Sequence, residues 1–223
     1  MRLQAGDQDK AGVRSYFEDL AAGYDDSRIS GWQRYFQGLL IEQIRPREGL
    51  TVLDVGCGTG WAVREVARRR PGAVVHGIDI SPGMIKEATR RATGVPNVTF
   101  SVGDAEHLEL ADETFDYVIT SHAFRHCPDP RRALAEFHRV LGPDGCLLMV
   151  DFCRDIENPA LRLVAKAVSV LPSRNTKGFY SSSEMVALVA SSRFRDAELL
   201  SKTEKFMFLR KLVTSEALIA GRK

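Results

Sequence analysis

The sequence lacks the marks of a membrane protein, a disulfide scaffold or a nucleic-acid binder. No apolar run approaches the ~20 residues needed to cross a bilayer. Cys57, Cys127, Cys146 and Cys153 are the only cysteines in 223 residues. They show no CxxC spacing and no histidine at finger-like intervals, so neither a zinc site nor a disulfide frame is expected. Neither sign of charge dominates: 31 basic and 29 acidic side chains leave a net charge of +2, where a general nucleic-acid binder would carry a basic stripe. The densest basic cluster, Arg68, Arg69 and Arg70, falls at the end of a predicted helix, where it complements the helix dipole and solvates the surface. The first seven residues lack the apolar core of a signal peptide, so a cytoplasmic location with reduced thiols is expected. There is no internal repeat and no low-complexity segment.

What is present describes a single soluble domain. Hydrophobic residues make up 44% and charged residues 27%, ordinary values, and the length leaves little room for a second core. From Leu50 onward short β-branched runs alternate with helical patterns, the signature of a parallel sheet wrapped by helices. The expected strands are Thr51 to Val55, Val74 to Asp79, Val98 to Val102, Phe115 to Thr120 and Cys146 to Val150. Two later strands are expected from Ala197 to Lys202 and from Ser215 to Ala220. The spacing predicts helices from about Ala62 to Arg70, from Ser81-Pro82, and from Asp129-Pro130 to about Leu141, the last two with a cap and a proline at the first turn. Asn158-Pro159 opens a further predicted helix with Leu161, Val164, Ala165 and Val168 on one face. Ser181 and Glu184 fit a capping box for a helix to about Ser191. Residues before 50 read as helices carrying Tyr16, Phe17, Tyr24, Trp32, Tyr35 and Phe36, either a lid over the strand ends or plain core.

The strongest local signal is Asp54-Val55-Gly56-Cys57-Gly58-Thr59-Gly60. Glycines here let the backbone turn tightly and approach a ligand. A dinucleotide turn needs G-x-G-x-x-G, and Trp61 stands where its last glycine would be. A phosphate loop would need Gly-Lys-Ser/Thr. The pattern G-x-G-x-G after an acid instead resembles motif I of class I methyltransferases. Asp79, 19 residues past Gly60 at the end of the second strand, suits both hydroxyls of a ribose; its other reading is a helix cap. Asp104 ends the third strand and, with Ala105, looks like the family's adenine position; its other reading is a turn residue. All three signals fall at the carboxyl edge of the sheet, where open α/β folds bind ligands.

The fourth and fifth strands narrow the resemblance. His122-Ala123-Phe124-Arg125-His126-Cys127-Pro128-Asp129, followed by Arg139-Val140-Leu141-Gly142-Pro143-Asp144-Gly145, is similar to the UbiE-like quinone C-methyltransferases, where the stretch reads F-G-L-R-N-x-x-D and then R-V-L-K-P-G-G. Val150-Asp151-Phe152-Cys153 resembles their L-E-F-S, Asn158-Pro159-Ala160-Leu161-Arg162 their N-P-L-L-R, and Leu20-Ala21-Ala22-Gly23-Tyr24-Asp25 their V-A-x-x-Y-D. The departures are His126 for the Asn of the R-N pair, His122-Ala123 for Phe-Gly, and the absence near Gly178-Phe179-Tyr180-Ser181 of the family's Tyr-x-Tyr-Leu-x-Glu-Ser segment. They leave room for an acceptor other than a respiratory quinol, such as a phenolic or polyketide-derived metabolite.

The resemblance implies a Rossmann-like α/β fold with a mostly parallel seven-stranded sheet, helices on both faces and an N-terminal helical lid. The expected division is lid 1–47, cofactor core 48–151 and acceptor side 152–223. It implies S-adenosylmethionine as cofactor, bound by Tyr16, Tyr24, Asp54, Gly56, Gly58, Gly60, Asp79, Ile80, Met84, Asp104, Ala105 and Ser121. It implies a small-molecule acceptor, with no nucleic acid and no integral membrane segment. His122, Arg125 and His126 are the candidate catalytic residues. Either histidine can take a hydroxyl proton near neutral pH, and Arg125, always charged, can stabilise a phenolate; a lone loop histidine can equally be structural. Three readings stand side by side: C-methylation of a quinol or phenol, O- or N-methylation of a small natural product, and cofactor binding without methyl transfer.

Overall fold

The computed structural model describes residues 10–26, 28–161, 163, 180–207 and 212–223. Helix α1 (Lys10–Leu20), a 3-10 turn (Ala21–Asp26) and α2 (Arg28–Glu42) precede the sheet. The core then runs β1 (Thr51–Val55), α3 (Trp61–Arg69), β2 (Val74–Asp79), α4 (Pro82–Arg91), β3 (Val98–Val102), β4 (Phe115–Ser121), α5 (Pro130–Val140) and β5 (Leu141–Cys153). Helix α6 (Ser182–Ala190), β6 (Arg195–Met207) and β7 (Leu212–Arg222) follow.

The seven strands lie in the order β3-β2-β1-β4-β5-β7-β6. Strands β1 to β5 are parallel, and β7 runs antiparallel to both of its neighbours. The chain moves outward from β1 through β2 to β3, then returns to the other side of β1 as β4. That reversal opens a crevice at the carboxyl ends of β1 and β4, where open α/β sheets take ligands.

The central strands are buried on both faces, and alternate residues feed two cores. Leu53, Val118, Leu147 and Met149 pack with α5 (Leu134, Phe137) and α6 (Met185, Val189). Val52, Val75, Ile119 and Leu148 pack with α2 (Phe36, Leu40, Ile41) and α3 (Val63, Val66). Of the aromatic side chains ahead of the sheet, Phe36 is therefore core, while Tyr16 and Tyr35 are half exposed.

The caps read from sequence are formed. Ser81 Oγ accepts from the Met84 amide, Asp129 Oδ1 accepts from Arg132, and Ser181 and Glu184 make both halves of a capping box. Asn158 Oδ1 accepts from the amides of Ala160 and Leu161; Val164, Ala165 and Val168 lie outside the described residues. The last three strands are longer than expected. β5 begins pairing at Leu141, and its register with β4 then shifts by way of a bulge. β6 extends through Ser201-Lys202-Thr203-Glu204-Lys205, a polar stretch that pairs with β7 at the sheet edge. Arg68 and Arg69 both bind Glu65 one turn back, and Arg70 donates to the Ile44 carbonyl.

Candidate active site

The turn after β1 explains its glycines. Gly56 has φ +76°, and a Cβ there would stand 2.3 Å from the Cβ of Ala123. Gly58, at φ +53°, has nothing within 4 Å of that position, so bare backbone faces open space. The amides of Gly56 and Cys57 both donate to the Ile78 carbonyl, at 2.8 and 2.9 Å, which fixes the turn against β2.

A cleft with about 810 Å³ of space, its open mouth included, lies over the strand ends. Tyr24, Gly56, Gly58, Asp79, Ile80, Met84, Asp104, Ala105 and Ser121 all line it, as do His122 and His126. Four expected residues do not. Gly60 packs against the Phe100 ring, and Asp54 lies buried at the end of β1. Tyr16 is half exposed and meets Phe17 edge-on at 5.2 Å, and Arg125 is turned to Asp151.

The acids at the strand ends differ in setting. Asp79 accepts from the amides of Gly58 and Ser81, both at 2.9 Å, so it ties the glycine turn to the start of α4. Burial raises its pKa despite these bonds. Asp54 is 2% exposed, and burial, with the Asp79 charge beside it, pushes its pKa up to about 8. Asp104 shapes a turn by accepting from the Glu106 amide at 2.9 Å, while its other oxygen meets Lys10 Nζ at 2.6 Å.

The loop after β4 is built around a carboxylate that the sequence pattern did not single out. Asp151, buried at the end of β5, accepts from the Arg125 amide at 3.0 Å and from its guanidinium at 2.7 Å. The guanidinium also donates to the His122 carbonyl at 2.5 Å and lies over the Phe152 ring, 5.0 Å from its centre. His122 has φ +56°, a left-handed conformation uncommon outside glycine. Its Nδ1 meets Ser121 Oγ at 2.9 Å, and its buried Nε2 has no hydrogen-bond partner among the described residues. His126 Nε2 is likewise buried and unpaired. Burial lowers the two pKa values to about 3 for His122 and about 4 for His126. Burial thus favours the neutral form of both rings and moves their titration below the range near pH 7 expected from sequence.

Residues 53–149 match a family model described as a methyltransferase domain. A demethylmenaquinone methyltransferase of Renibacterium salmoninarum is 35% identical over 150 residues, which take in 66% of this chain and 61% of that protein. A malonyl-[acyl-carrier protein] O-methyltransferase of Geobacter sulfurreducens is 30% identical over 204 residues, 88% of this chain and 74% of that one. The chain belongs to the class I S-adenosylmethionine-dependent methyltransferases. The YcgJ protein of Bacillus subtilis shares the fold at a TM-score of 0.70 and 23% identity, over 85% of this chain and 98% of that one.

S-adenosylmethionine is the cofactor of this methyltransferase, and the cleft suits it. The open backbone at Gly58 leaves room for close approach, carboxylates stand at the ends of β2 and β3, and Ile80 and Met84 add apolar residues to the lining.

Several residues of the site were not foreseen. The N-terminal segment is pinned to the ends of β1, β2 and β3 in turn. Asp25 accepts from Thr59 Oγ1 at 2.8 Å in the glycine turn and pairs with Arg91 and Arg34. Glu18 accepts from Ser81 Oγ at 2.6 Å and the Gly83 amide at 2.8 Å. Lys10 reaches both Asp104 and Glu106 at 2.6 Å. Among these only Asp25 stood within a recognised pattern, and nothing there assigned it a role. Lys10 and Glu18 are charged helix residues with no motif, so only the fold reveals their partners.

Proposed function

We propose that the protein transfers a methyl group from S-adenosylmethionine to a carbon of a small hydroxylated aromatic acceptor, of quinol or phenol type. One observation carries this reading: His122 and His126 bring two imidazoles, each with a buried Nε2 that has no partner among the described residues, to a cleft that Phe17, Phe124 and Phe137 also line. Aromatic walls suit a flat ring, and an unpaired imidazole nitrogen in apolar surroundings favours a ligand that donates a hydroxyl hydrogen. The quinone-type relative points the same way.

When bound, the cofactor supplies an activated methyl group on a sulfonium. The chain's own residues supply position and a proton acceptor. Asp79 would receive the ribose hydroxyls, Asp104 and Ala105 would meet the adenine edge, and Tyr24 and Ser121 lie beside the glycine turn. One histidine Nε2 accepts a hydrogen bond from the acceptor's hydroxyl, which raises electron density at the ring carbon to be methylated; that carbon then releases its own proton to water as the ring regains aromaticity. Arg125 acts as a positioning residue: held by Asp151, it fixes the His122 carbonyl and so the ring's direction. In-line placement of two reactants can offset about 7–11 kcal/mol of barrier in favourable cases. The segment from α1 to α2 serves as a lid that excludes water from this step.

The same histidine can take the hydrogen bond of a hydroxyl whose oxygen then receives the methyl itself. The O-methyltransferase of Geobacter sulfurreducens, aligned over 88% of this chain, supports that second reading. Incubation with cofactor carrying a ¹³C-methyl group and a panel of hydroquinols and phenols separates them. An aryl-bound methyl in the product supports the first reading, an oxygen-bound methyl the second. No labelled product from any acceptor, with cofactor binding intact, would count against both.

A further inference from the structure

The turn 103–107, between β3 and the loop that leads to β4, carries a carboxylate that the proposed reaction does not use. Glu106 is 5% exposed, and both of its oxygens are occupied by different parts of the cleft wall. Oε1 accepts from the Asp129 amide at 2.7 Å, and Oε2 meets Lys10 Nζ at 2.6 Å. Its carbonyl accepts from Arg132 Nε at 2.9 Å. Asp129 is the N-cap of α5 and directly follows His126, Cys127 and Pro128, three residues that line the cleft. Lys10 belongs to α1 and divides its charge between Glu106 and Asp104. One buried carboxylate therefore joins the lid, the expected adenine edge and the acceptor-side loop.

We propose that Glu106 is a positioning residue that couples closure of α1 over the cofactor to the placement of the His126–Pro128 loop. A buried carboxylate is tolerable only when its charge is compensated and its lone pairs are used. Lys10 supplies the compensation, and it is in place only when α1 is seated. With Lys10 docked, Glu106 is held in the geometry that accepts the Asp129 N–H. With Lys10 withdrawn, the carboxylate is left without its counter-charge, turns toward water and releases the loop. Phe17 makes a second link between the same elements, edge-on to the His126 ring at 5.2 Å. The inference rests on the reading of this cleft as the cofactor site.

Amide hydrogen exchange on the full chain, with and without saturating S-adenosylhomocysteine, tests it. In the wild type, ligand should slow exchange in 79–84, in 10–20 and in 122–130. In Glu106→Gln and in Lys10→Met, protection of 79–84 should persist while that of 122–130 falls by roughly half or more. Lys10→Arg, which keeps the cation, should restore it. A Glu106 that merely supported the helix cap would leave Lys10→Met like the wild type. Undiminished protection of 122–130 in Lys10→Met, with ligand bound, overturns the coupling; because Lys10 is partly exposed, this variant decides the matter even if Glu106→Gln fails to fold. Protection at 79–84 but not at 122–130 in the wild type also overturns the coupling and leaves the cofactor reading standing. No protection at 79–84 in the wild type removes the cofactor reading and the coupling with it.

Discussion

The guanidinium of Arg125 stands 2.7 Å from the buried carboxylate of Asp151, at the point where the loop after β4 meets the end of β5. The same carboxylate accepts the Arg125 amide, so the loop that carries both histidines is fastened through one side chain. Removing one partner of a buried pair leaves an uncompensated charge, at a cost of about 3–5 kcal/mol. Asp151→Ala is accordingly expected to lower stability by that order in urea unfolding. Arg125→Lys keeps the charge but loses the planar fork, and should lower the melting temperature more than it lowers turnover. A large turnover loss in a fully stable Arg125→Lys would mean that the guanidinium serves the reaction, by direct contact or by orienting His122, and not the loop alone.

The histidines set a pH dependence. Their ordinary pKa of 6.5 falls to about 3 for His122 and about 4 for His126, in both cases through burial first. In the unfolded chain these rings take up protons below about pH 6.5, and in the folded protein only below about pH 4. The stability they contribute is present above pH 6.5 and is lost as pH falls toward 4. His122→Phe should flatten the loss of stability between pH 6.5 and 4. The profile of kcat/KM should show no histidine limb between pH 6 and 8. A limb centred near 6.5 that vanishes in one histidine variant would contradict this account of the resting site.

Asp54 works in the opposite sense. Its pKa rises from 3.8 to about 8 because its carboxyl is buried beside Asp79. The folded state holds this proton over a range where the unfolded state has released it, so the stabilising contribution fades as pH rises from about 4 through 8. Asp54→Asn, which mimics the protonated acid, should make stability less sensitive to pH over that interval. Denaturant midpoints measured from pH 5 to 9 check it, and an unchanged slope in Asp54→Asn would assign the sensitivity to another group.

Much of this fold was legible because local chemistry and global topology agree. β1 to β4 are short β-branched runs between glycine, proline and capping residues, and their ends followed from those signals. β6 was partly hidden: its second half is polar because it lies at the sheet edge, and pairing with β7, not burial of apolar side chains, defines it. The site divides in the same way. Gly56, Gly58 and Asp79 line the cleft at the glycine turn and strand end where the sequence pattern put them. Asp151, Glu106 and Lys10 act through partners 26, 23 and 94 residues distant in sequence, and no spacing rule reaches that far. Arg125 shows the limit from the other side. A charged residue beside two histidines reads as catalytic from sequence, and only the fold shows that Asp151 holds it.

On the proposed reading, the cleft over β1, β2 and β3 holds the cofactor, with Asp79 on its ribose. Calorimetric titration of S-adenosylhomocysteine into the wild type and Asp79→Ala tests it most directly. A charge-assisted hydrogen bond contributes about 1.5–3 kcal/mol, so the account predicts binding to the wild type and a loss of roughly ten- to a hundredfold in the variant. Because Asp79 also holds the Gly58 and Ser81 amides, the variant is first shown to be folded by circular dichroism. Equal affinity in a folded Asp79→Ala would contradict the account.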